Sequence, residues 1–171
     1  VHLLHGHMTE EEMHSLYLHD KVSAFVALPH GEGFGLPIFE ASYSGLPVVS
    51  VGWSGQKDFL YDDDGKAHFY EVSYDMVQVP PEAVWKDVIE QTAGWCAARE
   101  QSAREQMRAC YEDIINKNED SIAHGACDRS AQLREQFSEE KMHEMFVKSF
   151  TGEIKTEAIK EEVDELLADL M

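Results

Sequence analysis

Residues 23–55 read SAFVALPHGEGFGLPIFEASYSGLPVVSVGWSG, and this stretch decides the fold. It holds two short runs, residues 23–28 and 47–51, that are nearly continuous in apolar character. Such runs are typical of strands that are buried on both faces of a parallel sheet. Parallel strands are joined by crossover helices, so the stretch predicts an α/β fold.

The segment between the two predicted strands has the features of a loop followed by a helix. Glycines dominate residues 30–35, Pro37 stands near the first helical position, and Gly45 supplies a stop signal. We therefore expect a helix over 36–44. A second glycine-bearing loop, residues 52–55, follows the second strand. The order of elements predicts a partial Rossmann-like parallel sheet.

The flanks extend this pattern on both sides. Residues 1–4 are interpreted as the end of a further strand, and Thr9 opens a capping box that predicts a helix through about Asp20. Residues 62–65 predict a turn, and residues 66–72 one more strand.

Helical periodicity begins at Glu82 and continues nearly to the end of the chain. Breaks are expected around 116–120, 121–125 and 151–152. Several large side chains are interpreted as helical core residues: Trp85, Trp95, Met107, Met142 and Met145.

The tail, residues 153–171, alternates acidic and apolar residues at helical spacing and predicts a terminal helix. We therefore expect two regions. A Rossmann-like domain covers 1–95 and lacks its first strands, since the chain starts at Val1 on an apolar run. A helical region covers 96–171.

The composition excludes several classes of partner. The formal net charge is -19, from 33 acidic and 14 basic residues, and such an excess repels the phosphate backbone of a nucleic acid. No stretch approaches the roughly 20 apolar residues of a transmembrane helix. The three cysteines lack metal-type spacing, which favours packing roles and a reducing, cytoplasmic location.

The segment from Glu32 to Glu40 carries the chemistry, because two carboxylates flank a glycine-rich loop and a helix start. The glycines allow a ligand to approach the backbone closely. Free N–H groups around Gly35 and Leu36 would lie at a helix N-terminus, where phosphate is favoured. Open α/β sheets place their ligands at the carboxyl ends of the strands, where this loop would lie.

The same segment resembles the C-terminal, donor-binding domain of retaining GT-B glycosyltransferases of the glycogen synthase and sucrose synthase superfamily. The resemblance rests on the two glutamates separated by seven residues, on GFGLP between them, and on the following Gly45-Leu46-Pro47-Val48-Val49. It covers about residues 1–65.

The resemblance implies roles for individual residues. Glu32 would lie beside the donor sugar and the reacting centre as the catalytic residue, and Glu40 would hold the ribose hydroxyls. Backbone groups of Gly33, Phe34 and Gly35 would contact sugar hydroxyls. The remaining donor-binding positions that the resemblance implies are Leu36 at the diphosphate, and Gly55 and His7 in the donor pocket.

The implied reaction transfers a sugar from a nucleoside diphosphate sugar to an acceptor hydroxyl with retention of configuration. The substrate is then the nucleotide sugar, with no cofactor and no metal. The acceptor is not specified, and the acceptor site would belong to an N-terminal domain that this sequence lacks. Asp58 stands where the family usually has a glutamate. The chain alone is expected not to complete turnover.

Other interpretations remain open. The chain could be a non-catalytic nucleotide-sugar-binding module, or a structural domain whose acidic helices bind a basic partner. The glycines at 31, 33 and 35 do not have dinucleotide-type spacing. His5 and His7 could line a metal site or a strand-end loop, and His30 could contact a sugar or cap its strand.

Overall fold

Three parallel strands form the centre of the fold, as seen in a computed structural model that describes residues 2–151. Their order is β1 (Phe25–Ala27), β2 (Val48–Val51), β3 (Tyr70–Val72), and each pairs with the next. The α/β prediction is confirmed. The terminal helix expected over 153–171 lies outside the described residues.

Only the middle strand is buried on both faces. Every residue of β2 is buried, because β1 and β3 cover its two edges and helices cover the sheet. Val26 in β1 is 45% exposed, so the prediction of a second fully buried strand was wrong. β1 has a partner on one edge only among the described residues, and its outer face is uncovered.

One helix precedes β1 and another follows it. α1 (Glu10–Tyr17) opens with the predicted capping box, in which the Glu12 N–H donates to the Thr9 side chain and the Thr9 N–H to the Glu12 carboxylate. α1 ends three residues before the expected Asp20. α2 (Leu36–Tyr43) matches its prediction, and Gly45 adopts the left-handed conformation after it.

The strand predicted for residues 1–4 was wrong for the part that is described. Residues 2–8 form no strand, and Leu3 and Leu4 are 88% and 68% exposed. These apolar residues therefore pair with no strand among residues 2–151. The turn at 62–65 is confirmed, and only Tyr70–Val72 of the strand expected over 66–72 joins the sheet.

After β2 the chain forms a short helix, α3 (Lys57–Leu60), and after β3 it forms an antiparallel pair, β4 (Tyr74–Gln78) and β5 (Gly94–Ala98). The helical periodicity predicted from Glu82 was therefore wrong up to residue 98.

Tertiary contacts explain why the prediction failed there. The fully buried Cys96 donates its N–H to the carbonyl oxygen of His30 at 3.0 Å, which ties β5 to the end of β1. Trp95 is consequently a strand residue. Trp85 lies in a loop at 66% exposure, so neither tryptophan belongs to a helical core.

Three helices complete the described residues: α4 (Glu100–Asn116), α5 (Ile122–Gln136) and α6 (Glu139–Thr151). The break at 116–120 is confirmed, with Lys117 in the left-handed conformation. The break at 121–125 was wrong, because α5 begins at Ile122. The methionines lie on helices, but Met107 and Met145 are 39% and 62% exposed and do not form a core.

One hydrophobic core cluster joins the parallel sheet to β5 and α4. Its buried members come from β2, β3, β5 and α4: Val49, Val51, Tyr70, Val72, Cys96, Ala103 and Cys110. The boundary expected at 95/96 falls within β5, and the chain divides into compact units between Leu133 and Arg134. Within the part of the chain that is described, every helix is too short or too polar to cross a lipid bilayer.

Candidate functional site

The loops that follow β1 and β2 are hydrogen-bonded to each other through backbone groups and the Ser54 side chain. The Glu32 N–H donates to Ser54 Oγ at 3.1 Å, and the Gly55 N–H donates to the Glu32 carbonyl oxygen at 3.1 Å. The Ser54 hydroxyl also donates to that carbonyl oxygen. Two loops at the carboxyl ends of adjacent parallel strands thus form one surface, at the place where such sheets bind ligands.

Glycine is required at two positions of this surface. A Cβ on Gly55 would overlap the carbonyl oxygen of Gly33, so the two loops approach as closely as they do only because Gly55 has no side chain. Gly35 has φ of 87° and precedes the first residue of α2. Ser54 also lies in the left-handed region, with φ of 70°, and its bonds to Glu32 hold it there.

The N-terminus of α2 points its backbone donors toward this end of the sheet. No side chain caps it, because the N-cap residue is Gly35, and Leu36 at the first position is 57% exposed. Pro37 at the second position has no N–H to leave unsatisfied. An uncapped helix start of this kind favours anions.

Glu32 presents a carboxylate without a protein partner among the described residues. Its backbone is held by Ser54 and Gly55, and its side chain is half-buried beside Gly35. A fixed backbone with an unpaired carboxylate suits a group that accepts hydrogen bonds from a ligand. Glu32, Gly33, Gly35 and Gly55 therefore lie together at this end of the sheet.

The surroundings of Glu40 differ from those of Glu32. It is half-buried on α2, and one of its carboxylate oxygens accepts a hydrogen bond from the Tyr17 hydroxyl at 3.2 Å. It lines a cavity of about 310 Å³ beside α1, and that lining includes neither Glu32 nor the loop glycines. The other lining residues are Met8, Thr9, Glu10, Met13, His14, Tyr17, Tyr43 and Ser44.

The Tyr17–Glu40 pair perturbs the tyrosine. Burial, then the negative charge of Glu40, then the hydrogen bond to it raise the pKa of Tyr17 to about 12. Sequence reasoning did not single out Tyr17, because its position on α1 predicts packing but not its partner on α2.

We expect the protein to lose stability in alkali, in part through Tyr17. Its pKa is raised from an ordinary 10.0, so the stabilisation is complete below pH 10 and is lost as the pH rises through about 12. Tyr61 and Tyr70, whose pKa values are also raised by burial, act in the same direction. Urea unfolding across this window should give a shallower decline for Tyr17→Phe than for wild type. Equal slopes would contradict the pairing.

His7 lies apart from both glutamates. It is exposed and lines a second cavity, of about 590 Å³, formed by residues 4–8 and one side of α1. His5 and His19 line the same cavity. Among residues 2–151, no group of three or more His, Cys, Asp or Glu side chains is arranged to hold a metal ion.

The remaining predicted residues have structural contacts. The Phe34 ring packs on Phe39 and Phe59, with centroids 5.2 Å and 5.1 Å away, and Phe34 stays 37% exposed. Asp58 is exposed on α3. Burial raises the pKa of Cys110 to about 11 and also raises that of Cys96, as expected of packing thiols, whereas Cys127 is exposed.

Sequence reasoning missed Ser54 and Gln56, whose side chains hold the two loops in place by hydrogen bonds to backbone groups. Gln56 is fully buried, donates to the Val51 carbonyl oxygen at 3.2 Å and lies against Gly35. The polar run that contains both, directly after a buried strand, was the available signal.

Comparison of the chain with protein-family models, with curated proteins and with solved structures gave no match.

Proposed function

We propose that the chain binds a nucleoside diphosphate sugar as the donor-binding part of a retaining glycosyltransferase, with its sheet forming part of a Rossmann-like domain. The observation that carries the proposal is the backbone pairing of the two loops after β1 and β2. These bonds hold Glu32, whose carboxylate has no partner within residues 2–151, close to the start of α2.

The diphosphate is proposed to lie at the N-terminus of α2. The chain carries 33 acidic residues against 14 basic ones, so its overall field repels an anion. An uncapped helix start supplies local donors and a partial positive charge that act against this field at short range. Gly33 is exposed and a Cβ there would meet no atom within 4 Å, which leaves room for a phosphate group to approach the backbone.

The two glutamates have separate proposed tasks. Glu32 accepts hydrogen bonds from the sugar that is transferred, and Glu40 accepts them from the ribose hydroxyls. The Tyr17 hydroxyl fixes one oxygen of Glu40 and leaves the other lone pairs for a ligand.

In the proposed reaction, the bond between the anomeric carbon and the diphosphate oxygen breaks. A bond to an acceptor oxygen forms on the same face, and the acceptor proton passes to the leaving diphosphate. Catalysis of this type consists mainly of positioning and of stabilising the charge on the leaving group.

The test is ligand-observed NMR of the full chain with UDP-glucose, ADP-glucose and GDP-mannose, and with the corresponding nucleoside diphosphates. Glu40→Gln should weaken nucleotide and nucleotide sugar alike by about tenfold or more, the usual worth of a hydrogen bond to a charged group. Glu32→Gln should weaken the nucleotide sugar and spare the free nucleotide, because Glu32 is assigned to the sugar.

Glu112→Gln is the matched control, since Glu112 is exposed on α4 and has no assigned role. Binding that all three variants leave unchanged, or no binding of any member of the panel, would refute the proposal. Binding that depends on both glutamates, without transfer in the full-length protein, would favour the non-catalytic binding module.

A further inference from the structure

A cluster of aromatic side chains lies next to Glu32 and has no assigned task. The His30 ring stacks on the Trp95 ring, with centroids 4.4 Å apart and planes 7° from parallel. A Cβ on Gly31 would lie 3.9 Å from Trp53 Nε1. Residues 30 and 31 thus lie next to two indole rings, one from β5 and one from the loop after β2.

The hydrogen bond of His30 fixes its tautomer. Nδ1 lies 2.7 Å from the carbonyl oxygen of Cys96, and a carbonyl oxygen can only accept, so Nδ1 carries the proton. In the neutral imidazole, Nε2 then holds a lone pair. Because the two ring nitrogens point in roughly opposite directions, that lone pair faces away from β5. His30 is exposed, so the acceptor is open to a ligand.

The indole groups add hydrogen-bond donors to this acceptor. Neither Trp53 nor Trp95 uses its N–H within the part of the chain that is described, and both rings are half-buried and therefore held in place. The Trp53 ring is anchored on Tyr74, with centroids 5.9 Å apart. The cluster therefore offers aromatic faces, two N–H donors and one nitrogen acceptor beside the Glu32 carboxylate.

We infer that His30, Trp95 and Trp53 form a subsite for a neutral hexopyranose ring beside Glu32. A pyranose presents C–H groups on one face, which suit the negative face of an aromatic ring, and hydroxyls around its rim that both donate and accept. Charged or wholly apolar ligands would leave part of this set unused. The inference rests on the proposed function for its link to transfer, and on the cluster itself for the chemistry of the ligand.

The tautomer can be tested without any ligand. A long-range proton–nitrogen NMR spectrum should assign the proton of His30 to Nδ1, with the His30 signals identified by their loss in His30→Asn. A proton on Nε2 would overturn the inference, because the ring would then present a donor where the subsite needs an acceptor.

Four variants separate binding from folding. His30→Asn keeps a donor near the position of Nδ1 for the Cys96 carbonyl and removes Nε2 and the ring. His30→Phe keeps a ring to stack on Trp95 and removes both nitrogens. Trp95→Leu removes the stacked indole, and Trp85→Leu, at an exposed loop tryptophan, is its matched control. Thermal melts identify any variant that fails to fold, and only folded variants are compared.

Binding is measured with the nucleotide sugars and nucleoside diphosphates named above, and with methyl α-glucopyranoside and maltose added to protein that holds the nucleoside diphosphate. We expect His30→Asn, His30→Phe and Trp95→Leu each to weaken a sugar by about fivefold or more, and to spare the nucleoside diphosphates. Weakening of the nucleotide sugar assigns the subsite to the donor. Weakening of the free glycosides assigns it to the acceptor.

Unchanged affinity for every sugar would overturn the inference and leave the proposed function standing if binding still depends on Glu40. If no nucleotide or nucleotide sugar binds to the protein, but the free glycosides bind in a way that depends on His30, the proposed function is refuted. The sugar subsite would then stand on its own.

Discussion

Replacing Gly55 by alanine is expected to lower the free energy of unfolding by about 3 kcal/mol or more, because overpacking against rigid backbone leaves no side chain to move aside. The new Cβ would overlap the carbonyl oxygen of Gly33, and the backbone of one loop must shift. That shift breaks the bond from the Gly55 N–H to Glu32, so we also expect sugar binding to be lost. Urea unfolding of Gly55→Ala and of wild type measures the difference in the free energy of unfolding.

Gly33→Ala is the matched comparison. It changes the glycine on the opposite side of the same contact, where a Cβ would meet no atom within 4 Å. Its free energy of unfolding should stay within about 1 kcal/mol of wild type, as for a substitution without a clash. Similar losses in the two variants would show that backbone freedom, rather than the close approach of the loops, explains the requirement for glycine.

Replacing Arg129 by methionine is expected to cost about 4 kcal/mol, since breaking a buried charged network leaves its partners unsatisfied. Arg129 lies on α5 at 5% exposure, and its Nη2 donates to the carbonyl oxygens of Phe59 and Tyr61 at 2.9 Å each. Methionine fills much of the same space and supplies no donor. The buried carbonyl of Phe59 and the partly buried carbonyl of Tyr61 would then lack these hydrogen bonds.

Arg104→Met controls for the change of residue type. Arg104 is exposed on α4 and pairs with Glu100 one turn earlier, an arrangement worth about 0.5 kcal/mol. Burial lowers the pKa of Arg129, and the charges of Asp62 and Asp63 act in the opposite direction. A small loss for Arg129→Met, comparable with that of Arg104→Met, would mean that water replaces the guanidinium at those carbonyls.

The sequence was most informative where local signals agree with tertiary contacts. Thr9 and Glu12 form their capping box within one turn of chain, and Gly45 ends α2 by its own conformation. β2 was predictable because its apolar run is buried on both faces. These features need no knowledge of distant residues.

Prediction failed where the partner is distant. β5 is held by pairing with β4 and by the bond from Cys96 to His30, which is 66 residues away in the chain. Composition alone cannot distinguish its short apolar run from a helical segment. Residues 2–4 show the reverse case, since their apolar character predicted a strand that has no partner among the described residues.

The candidate site divides in the same way. The glycine positions could be predicted, because left-handed or closely approached backbone restricts the residue type at Gly35 and Gly55. The supporting contacts of Ser54, Tyr17 and Trp95 could not, since each depends on how separate elements pack. The assignment of Glu32 and Glu40 to parts of a nucleotide sugar stays a prediction.

The parallel topology also sets the order in which the surface can assemble during folding. Phe25 pairs with Val48, and Val49 with Tyr70, so each parallel pair joins residues about 20 positions apart. The chain loses conformational entropy when it closes these loops, and only then do the strand contacts form and offset that loss. Helices such as α4 need only neighbouring residues. We therefore expect the contact between Glu32 and Gly55 to form late, after local helices such as α4.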